Sequence, residues 1–598
     1  MKSGTIDGFQ WFAAYKKGAE RIYAFREKLN DINYFPVPDS DTGNNLTVTF
    51  NGPIGAVRPD PSFSKTAASV AEHILRSARG NSGLIMAQFF QGLSEKGAFL
   101  DRVTPEEFSR LVNEAVPFVY SAVEKPVEGT MITVIREWAE ALTHGAEHKN
   151  DFKLLLQSAL EYARKSLEKT KAMIRSIKGK SCVDAGALGF VCFLEGMALS
   201  FEEPADNEDF QAETFSRLLE AEYEGKEVRT EEIPYRYCTE VYFSSAQCAE
   251  DLHSLLRDKG DSLIIAGGKE RYRAHIHTNE PHDVIAALYS AGTVFEHKVD
   301  DMRREADVNH KRLSSIALVT DSAADIPPEL ADRYQIHIIP LNILFRGGSF
   351  QDKVTLSPRQ LYSLMRSPAE LPSSSQPSVE TIRNRLLFLA RHYESVLAIT
   401  VAEKLSGTYQ AFLKAAREIE IETSVPVTVF DSRLNSGAQG LLVLYAAQEI
   451  EKGKSLSQIV ETLPAARTKT KIFVAPDNLK TMVRGGRISP VKGWIARLTR
   501  FKPLVSLGEE GEGIIAGTAF SRKGIEKRIL SEARAASEKD GIGTYAVVHS
   551  GAPDKACKLG EKLEKQLGFP PLYIMEISSV VALNAGLNAV AFCYRAHE

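Results

Sequence analysis

The apolar residues of this chain change period along its length, and one core cannot absorb both patterns. In the first part they recur at spacings of three and four, as in Phe108, Leu111, Val112, Ala115, Val116 and Val119, the stripe of an amphipathic helix. From Ser314 onward, β-branched runs such as SIALVTD, SVLAITV, KIFVAP and TYAVVHS alternate with helical segments such as GTYQAFLKAAREI and DKACKLGEKLEKQL. Strands separated by helices imply parallel βαβ units in a doubly wound sheet. Between these two texts, TEVYF, DSLIIAGG and RYRAHIHT read as short strands of a small α/β unit. A length of 598 residues agrees with several domains at roughly 100 to 200 residues each.

Local chemistry supports the helical reading. Thr104-Pro105-Glu106-Glu107 supplies an N-cap, a proline at the first helical position and a glutamate three after the cap. A second long helix is expected over residues 151–169. The segment 202–232 holds twelve acidic residues against three basic ones (Arg217, Lys226, Arg229), which favours a solvated linker or an exposed helix over core. The expected division is a helical domain over 1–202, an acidic linker over 203–232, an α/β middle domain over 233–313 and a two-lobed α/β domain over 314–598.

Composition excludes some functions. Six cysteines without a CxxC pair fit a reducing compartment. The opening segment has no basic stretch followed by an apolar core, and no run of about 18 apolar residues occurs, so a cytoplasmic protein is expected. The net charge of -4 does not favour nucleic acid as a partner.

Three groups of residues carry chemistry. In Asn33-Tyr-Phe-Pro-Val-Pro-Asp39-Ser-Asp41-Thr42-Gly43-Asn-Asn45, two carboxylates stand two apart in a proline-rich loop. Hard oxygen ligands so placed suit Mg²⁺, and a capped turn is the plainer alternative. Gly80-Asn81-Ser82-Gly83 opens an apolar helix, where free amides favour phosphate, and Lys125-Pro126-Val127-Glu128-Gly129-Thr130 leads into another. On the strand Arg271–Thr278, His275 and His277 share one face; with Cys238 they form either a Cys-His-His metal site or two histidines on a half-exposed strand. Two look-alikes are set aside. Gly179-Lys180-Ser181 follows helix rather than strand, and Gly511-Glu512-Gly513 reads as a hairpin turn.

The segments NYFPVPDSDTGNNL, ARGNSGLIMAQFFQGL, AVEKPVEGTMITVIREWAE and VDAGALGFVCFLEGM resemble, in that order, the ATP-binding domain of dihydroxyacetone kinases as found in bacterial fatty acid kinases. The resemblance implies an all-helical barrel with ATP and Mg²⁺ at its mouth. Asp39 and Asp41 match the metal-binding aspartates, with Asn33 on the ligand side. Thr42, Gly43, Asn45, Gly80, Asn81, Ser82, Gly83 and Thr130 fall on the nucleotide loops, and Asp184 and Gly186 on a late Asp-x-Gly turn. Ser40 and Leu46 stand where the usual motif has Gly and Met. YCTEVYF, GDSLIIAGG and AHIHTNEP resemble the middle domain of the same kinase, which gives Cys238, His275 and His277 a role as ligands of a metal such as Zn²⁺ or in phosphoryl transfer.

The segments ALVTDSAADIPPELADRYQIHIIPLNILF, LPSSSQPS, KLSGTYQ and LKTMVRGGRIS resemble the DegV family, which carries a fatty acid for that kinase. The resemblance implies a buried acyl chain whose carboxylate is held by hydroxyls. Lipid-binding positions are then Ser322, Ser373, Ser375, Ser406 and Gly407, with Arg487 near the phosphoryl group as a third catalytic residue beside Asp39 and Asp41. Three positions depart: Ala402-Glu403 replaces a serine pair, Asn584 a histidine and Phe520 an arginine. A buried Glu403 is expected to repel a fatty acid head. Residues 480–502 hold seven basic and no acidic residues, read as a docking face for an ATP-bearing domain.

The expectation is a fatty acid kinase fused to its carrier, forming acyl phosphate for phospholipid synthesis. Implied partners are a fatty acid, separate DegV-family carriers, an acyltransferase, a membrane surface for lipid exchange and a second copy of the chain. A kinase for dihydroxyacetone (glycerone) or another small hydroxylated substrate, and a lipid-binding regulator without turnover, are the alternatives.

Overall fold

The computed structural model describes residues 4–33, 41–146, 151–178, 182–201, 233–366, 371–477, 479–487 and 502–597. They form two compact units, Met1–Ala306 and Asp307–Glu598. The segment 203–232, Asp39 and the decoy Gly179-Lys180-Ser181 lie outside the described residues.

The first unit opens with helices α1 (Gly8–Ala24), α2 (Arg26–Asp31), α3 (Thr42–Ala56), α4 (Phe63–Ser77), α5 (Gly80–Lys96), α6 (Pro105–Ala122), α7 (Met131–Ala146), α8 (Phe152–Lys178) and α9 (Ala185–Leu199). From α3 to α9 each helix packs on the next, and α9 returns to α1, which closes a barrel. The Thr104 cap is present: its hydroxyl accepts the Glu107 amide while Glu107 accepts the Thr104 amide. The interior is aromatic. Trp138 lies with its ring centroid 5.5 Å from Phe190, and Tyr15, Phe50, Phe90 and Phe193 pack edge-on and tilted around one another. Tyr15 is fully buried and satisfies its hydroxyl on the Phe50 carbonyl at 2.8 Å.

An antiparallel sheet follows in the order β2-β3-β1-β4, with β1 Tyr237–Ser245, β2 Asp261–Gly268, β3 Arg271–Thr278 and β4 Gly292–Asp301. Ile264 and Ala266 of β2 enter the barrel's apolar core, and the Gly267 amide donates to Gln88 of α5 at 2.7 Å. The barrel and the sheet therefore share one core.

The second unit holds a four-stranded parallel sheet, a six-stranded mixed sheet and a three-stranded antiparallel one. The first runs β11 (Val427–Asp431), β10 (Ser395–Thr400), β5 (Ile316–Asp321), β6 (His337–Ile339). The second runs β14 (Gly513–Ala519), β13 (Lys502–Leu507), β12 (Thr470–Ala475), β17 (Val590–Ala596), β15 (Ile542–His549), β16 (Tyr573–Glu576). The third pairs β7 (Asn342–Phe345) with β8 (Gly348–Gln351) and β9 (Ser373–Ser375). Gly511 and Gly513 belong to the turn of the β13–β14 hairpin, where the Gly508 amide donates to the Glu512 carbonyl at 2.8 Å. The run GTYQAFLKAAREI forms the helix Thr408–Thr423, and SIALVTD forms β5, buried along its whole length as a strand covered on both faces must be.

Trp138→Ala removes the largest fully buried side chain of the barrel. Its expected cost is about 3 to 5 kcal/mol, read as a lowered unfolding midpoint of the N-terminal unit in urea while the transition of the C-terminal unit stays in place.

Candidate functional site

In the first unit the register of β1 assembles the site. Cys238 stands opposite His277 of β3 on one side and Asp300 of β4 on the other, and Glu240 stands opposite His275 and Lys298. The period of two along a strand sends all six to one face. There they line a pocket of about 50 Å³ together with Asn33, Asp41, Thr42, Asn45, Gly80, Asn81 and Ser82 of the barrel. The structure thus brings the Cys-His-His group and the nucleotide-loop residues to one place, and adds Glu240, Lys298 and Asp300.

The Cys238 sulfur lies 3.7 Å from His275 Nδ1, and the two histidine Nε2 atoms are 3.1 Å apart. Two nitrogens on a tetrahedral zinc, at about 2.0 Å each, are separated by roughly 3.3 Å. The pair therefore fits one edge of such a site, and the thiol with the two imidazoles forms a three-ligand set whose donor atoms lie within 4.8 Å of one another. The remaining ring nitrogens face carboxylates: His277 Nδ1 is 3.4 Å from Asp261, and His275 Nδ1 is 3.6 Å from Glu240. Such partners orient imidazole ligands. Burial pushes the Cys238 thiol well up and lowers the His277 imidazole, so a cation that binds here must draw off the thiol proton. Both histidines are buried, not half-exposed as a plain strand face would be.

Glu240 is buried at 3% exposure and joins three elements. It accepts the Gly80 amide at the start of α5, sits 3.3 Å from Arg273 Nη2 and 3.6 Å from Arg79 Nη1, and backs His275. Burial raises its carboxyl, but the hydrogen bond and charge of His275 with the charge of Lys298 outweigh this and hold it below the ordinary range.

On the barrel side Asp41 precedes α3 and accepts the Asn45 side-chain amide at 2.6 Å. Gly80 has φ +63°, where a side chain is strained. Asn81 Oδ1 is buried without a hydrogen-bond partner among the described residues. Gly43, Gly83, Thr130, Asp184 and Gly186 do not line the pocket. Thr130 donates to the Val127 carbonyl, and the Asp184 carboxylate accepts the amides of Ala187 and Met131. A β-carbon on Gly186 would stand 2.5 Å from Ser82 Oγ. One carboxylate, several side-chain amide oxygens, an orphaned acceptor and a glycine loop suit a divalent cation with phosphate groups.

The second unit contains a cavity of about 400 Å³ whose walls are largely valine, leucine and isoleucine. Its polar lining includes Ser375, Ser406, Gly407, Arg487, His549 and Asn584. Two expected positions shift. Ser373 is exposed opposite Leu344 at the start of β9, and Ser374 lines the cavity beside Ser375. Ser322 is buried outside the cavity, donating to Asp352 at 2.6 Å and accepting the Leu341 amide at 3.0 Å. Glu403 is exposed and accepts from Gln410, so the expected buried repulsion is absent: its side chain lies outside the cavity although Leu405 of the same turn lines it. Phe520 is 81% exposed and outside the lining, and the neighbouring Arg522 pairs with Asp477. Asn584 donates to the Val580 carbonyl at 3.0 Å, and its side chain and that of Arg487 both lie against Gly485.

His549, which closes β15, is a site residue that the motifs in the sequence do not single out. Its Nδ1 accepts the Ala552 amide at 3.3 Å, which leaves Nε2 to carry the proton, and burial lowers its pKa. A histidine ending an apolar run at the carboxyl end of a strand is the signal that could have found it. Of the basic run at 480–502, residues 488–501 lie outside the described residues; Arg484 is exposed and Arg487 lines the cavity.

Comparison with known proteins agrees with this architecture. Residues 36–199 match the DAK2 domain, residues 234–309 the middle domain of FakA-like fatty acid kinase proteins, and residues 315–597 the DegV family. The chain thus combines the domains of a fatty acid kinase-type protein. A DegV domain-containing protein of Clostridium acetobutylicum is 30% identical over 277 residues, 46% of this chain and 96% of that protein, and the chain belongs to the DegV family. Protein YloV of Bacillus subtilis is 28% identical over 315 residues, and an uncharacterised protein of Staphylococcus saprophyticus 31% over 315. The chain spans 57% and 56% of the length of those two relatives. Among solved structures, a fatty-acid-binding DegV protein of Bacillus subtilis is 27% identical, covering 48% of this chain and 100% of that one, with a TM-score of 0.44. A fatty-acid-binding DegV family protein of Thermus thermophilus is 28% identical, covering 47% and 99%, also with a TM-score of 0.44. Among the described residues no helix is long and apolar enough to cross a membrane.

Burial raises Asp321 and Asp352 to about 6. A carboxyl raised above its unfolded value holds its proton more firmly in the native state, so its stability is present below about pH 4 and is lost as pH rises through about 6. Urea unfolding of the C-terminal unit at several pH values is expected to show this decline, and Asp352→Asn to lessen its slope by about one proton.

Proposed function

We propose that this chain is an ATP-dependent fatty acid kinase, the first unit taking ATP and the second holding the acceptor carboxylate. The observation that carries the reading is the second unit's cavity. Its apolar walls suit an acyl chain, and Ser375, Ser406, Arg487 and His549 suit one anionic head. The DAK2 and kinase-type middle domains on the same chain support a phosphoryl donor.

A divalent cation, when bound, neutralises phosphate charge and orients the γ-phosphoryl group. Asp41 and Asn33, with Asp39 by resemblance, would hold it, and the amides of Asn81 and Ser82, beyond the Gly80 amide that Glu240 takes, would cradle the phosphates. Cys238, His275 and His277 would hold Zn²⁺ or take part in transfer. In the second unit hydroxyls orient the carboxylate and Arg487 stabilises the charge that develops on transfer. A carboxylate oxygen attacks the γ-phosphorus as the bond to the ADP oxygen breaks. ADP leaves with that electron pair, and the product is an acyl phosphate. An ionised carboxylate needs no base, so Asn584 in place of histidine does not block the step. The mixed anhydride is a substrate for an acyltransferase, and covalent linkage of donor and carrier raises their effective concentration.

The protein is expected to release a fatty acid on extraction and, with Mg·ATP and free fatty acid, to yield hydroxylamine-trappable acyl phosphate with matching ADP. Asp41→Ala is expected to lower turnover at least about 100-fold, and Arg487→Ala to do so with the lipid still bound. Absence of bound lipid together with dihydroxyacetone-dependent ADP release would assign the kinase to small hydroxylated substrates instead.

A further inference from the structure

Lys298 stands out in the first unit's pocket because, among the described residues, it is the lysine or arginine that lines it. Arg79 and Arg273 lie nearby but are already engaged: Arg79 with Glu240 and Glu296, and Arg273 with Glu240 and the Arg76 carbonyl at 2.7 Å. Lys298 pairs across the sheet with Glu240 and forms its ion pair with Asp300, two residues along β4 on the same face. Its side chain is 44% exposed and that of Asp300 29%, so the pair sits at the wetted side of the pocket where a ligand can reach it.

Among the described residues the pocket opposes three carboxylates, Asp41, Glu240 and Asp300, with this one ammonium. At about 50 Å³ it has room for a few water-sized groups, the size of an end group rather than of a whole ligand. An anionic end group that brings a divalent counter-ion meets both signs of charge in this lining, the cation facing the carboxylates and the anion the ammonium. The Gly80–Ser82 loop bounds it on one side and the Cys-His-His group on the other, so an end group held here lies between the loop amides and that cluster.

We propose that Lys298 binds the terminal phosphoryl group of the nucleotide, exchanging its ion pair with Asp300 for the phosphate oxygens. The proposal rests on the reading that this unit takes ATP. A lysine ammonium is a compact point charge with three donors, able to leave a carboxylate for a phosphoryl group without a change of backbone. ADP, which lacks that group, leaves the Lys298–Asp300 pair in place. Lys298 is thereby the residue that separates ATP from ADP.

Calorimetric titration of the full chain with Mg·ADP and with a non-hydrolysable Mg·ATP analogue tests this. Lys298→Gln is expected to weaken the analogue at least tenfold and to change ADP by less than twofold; Lys298→Arg is expected to retain much of the preference. The double variant Lys298→Gln with Asp300→Asn leaves no unpaired charge, and it is expected to show the same selective loss while keeping the wild-type melting profile and metal content. An unchanged analogue-to-ADP ratio in the double variant overturns the role of Lys298. Failure of the wild-type chain to bind either nucleotide overturns the ATP reading beneath it.

Discussion

Antiparallel pairing on both sides of β1 is the constraint from which the N-terminal site follows. Three successive rungs carry polar side chains to one face: Cys238 with His277 and Asp300, Glu240 with His275 and Lys298, and Tyr242 with Arg273 and Glu296. The opposite face carries Val241, Phe243, Ala274 and Ile276, all buried. A slip of one residue would exchange these faces, placing charges in the core and valine in the pocket. The third rung fixes the sheet to the barrel, since Arg273 donates to the Arg76 carbonyl and Glu296 pairs with Arg79 at 2.9 Å. Glu240 in the second rung then receives the Gly80 amide. A buried carboxylate is costly unless every oxygen is matched, and here both are, by groups drawn from the loop and the sheet.

The C-terminal unit uses buried carboxylates differently. Asp325 accepts Ser436 Oγ at 2.6 Å and the Ser578 amide at 2.8 Å, and it pairs with Lys353 at 3.0 Å. Asp352 accepts Ser322 Oγ and the Ser579 amide. These bonds tie the segment that contains Ile577, Val580, Asn584 and Ala585, which forms one wall of the cavity, to loops following β5 and β8. Because hydroxyls and amides occupy their oxygens, these acids shape the wall without presenting charge to the cavity. Ser322 is one of those hydroxyls, which explains why a serine on a family motif serves the scaffold rather than the ligand.

The helical period, the βαβ alternation and the Cys-His-His set are legible in the sequence because each depends on residue type at short spacing. What escapes it depends on register or on burial. Glu240 lies two residues after Cys238 and can be found by carrying the same face forward. Lys298 and Asp300 cannot, because GTVFEHKVDD has no apolar alternation to announce a strand and only its pairing with β1 sets its face. Ser373 and Glu403 depart from expectation because proximity in sequence to cavity-lining residues, Ser374 and Ser375 for the one and Leu405 for the other, does not say where each side chain is directed. His549 is hidden by the run it ends, whose apolar residues dominate the reading.

Charge is distributed otherwise than the domain totals suggest. Residues 203–313 carry 14 basic and 24 acidic residues, a balance of -10, against +6 for 314–598 from 35 and 29. Within the former, 203–232 alone holds 3 basic and 11 acidic residues, leaving 11 and 13 for 233–313. Nearly all the imbalance therefore resides in the segment rather than in the middle sheet. Several of the sheet's own acids are already matched internally, Glu240 by Arg273, Asp300 by Lys298 and Asp301 by Arg236 at 2.7 Å. Both neighbours of the acidic segment, Phe201 and Ile233, belong to the first compact unit, whereas the boundary between the units falls within the helix Met302–His310. The acidic segment is thus not the join between the two units. Its attraction for a basic surface is a separate long-range term, effective over about 8 Å at physiological salt and weakened by more, while the covalent link between the units runs through an element with backbone order of its own.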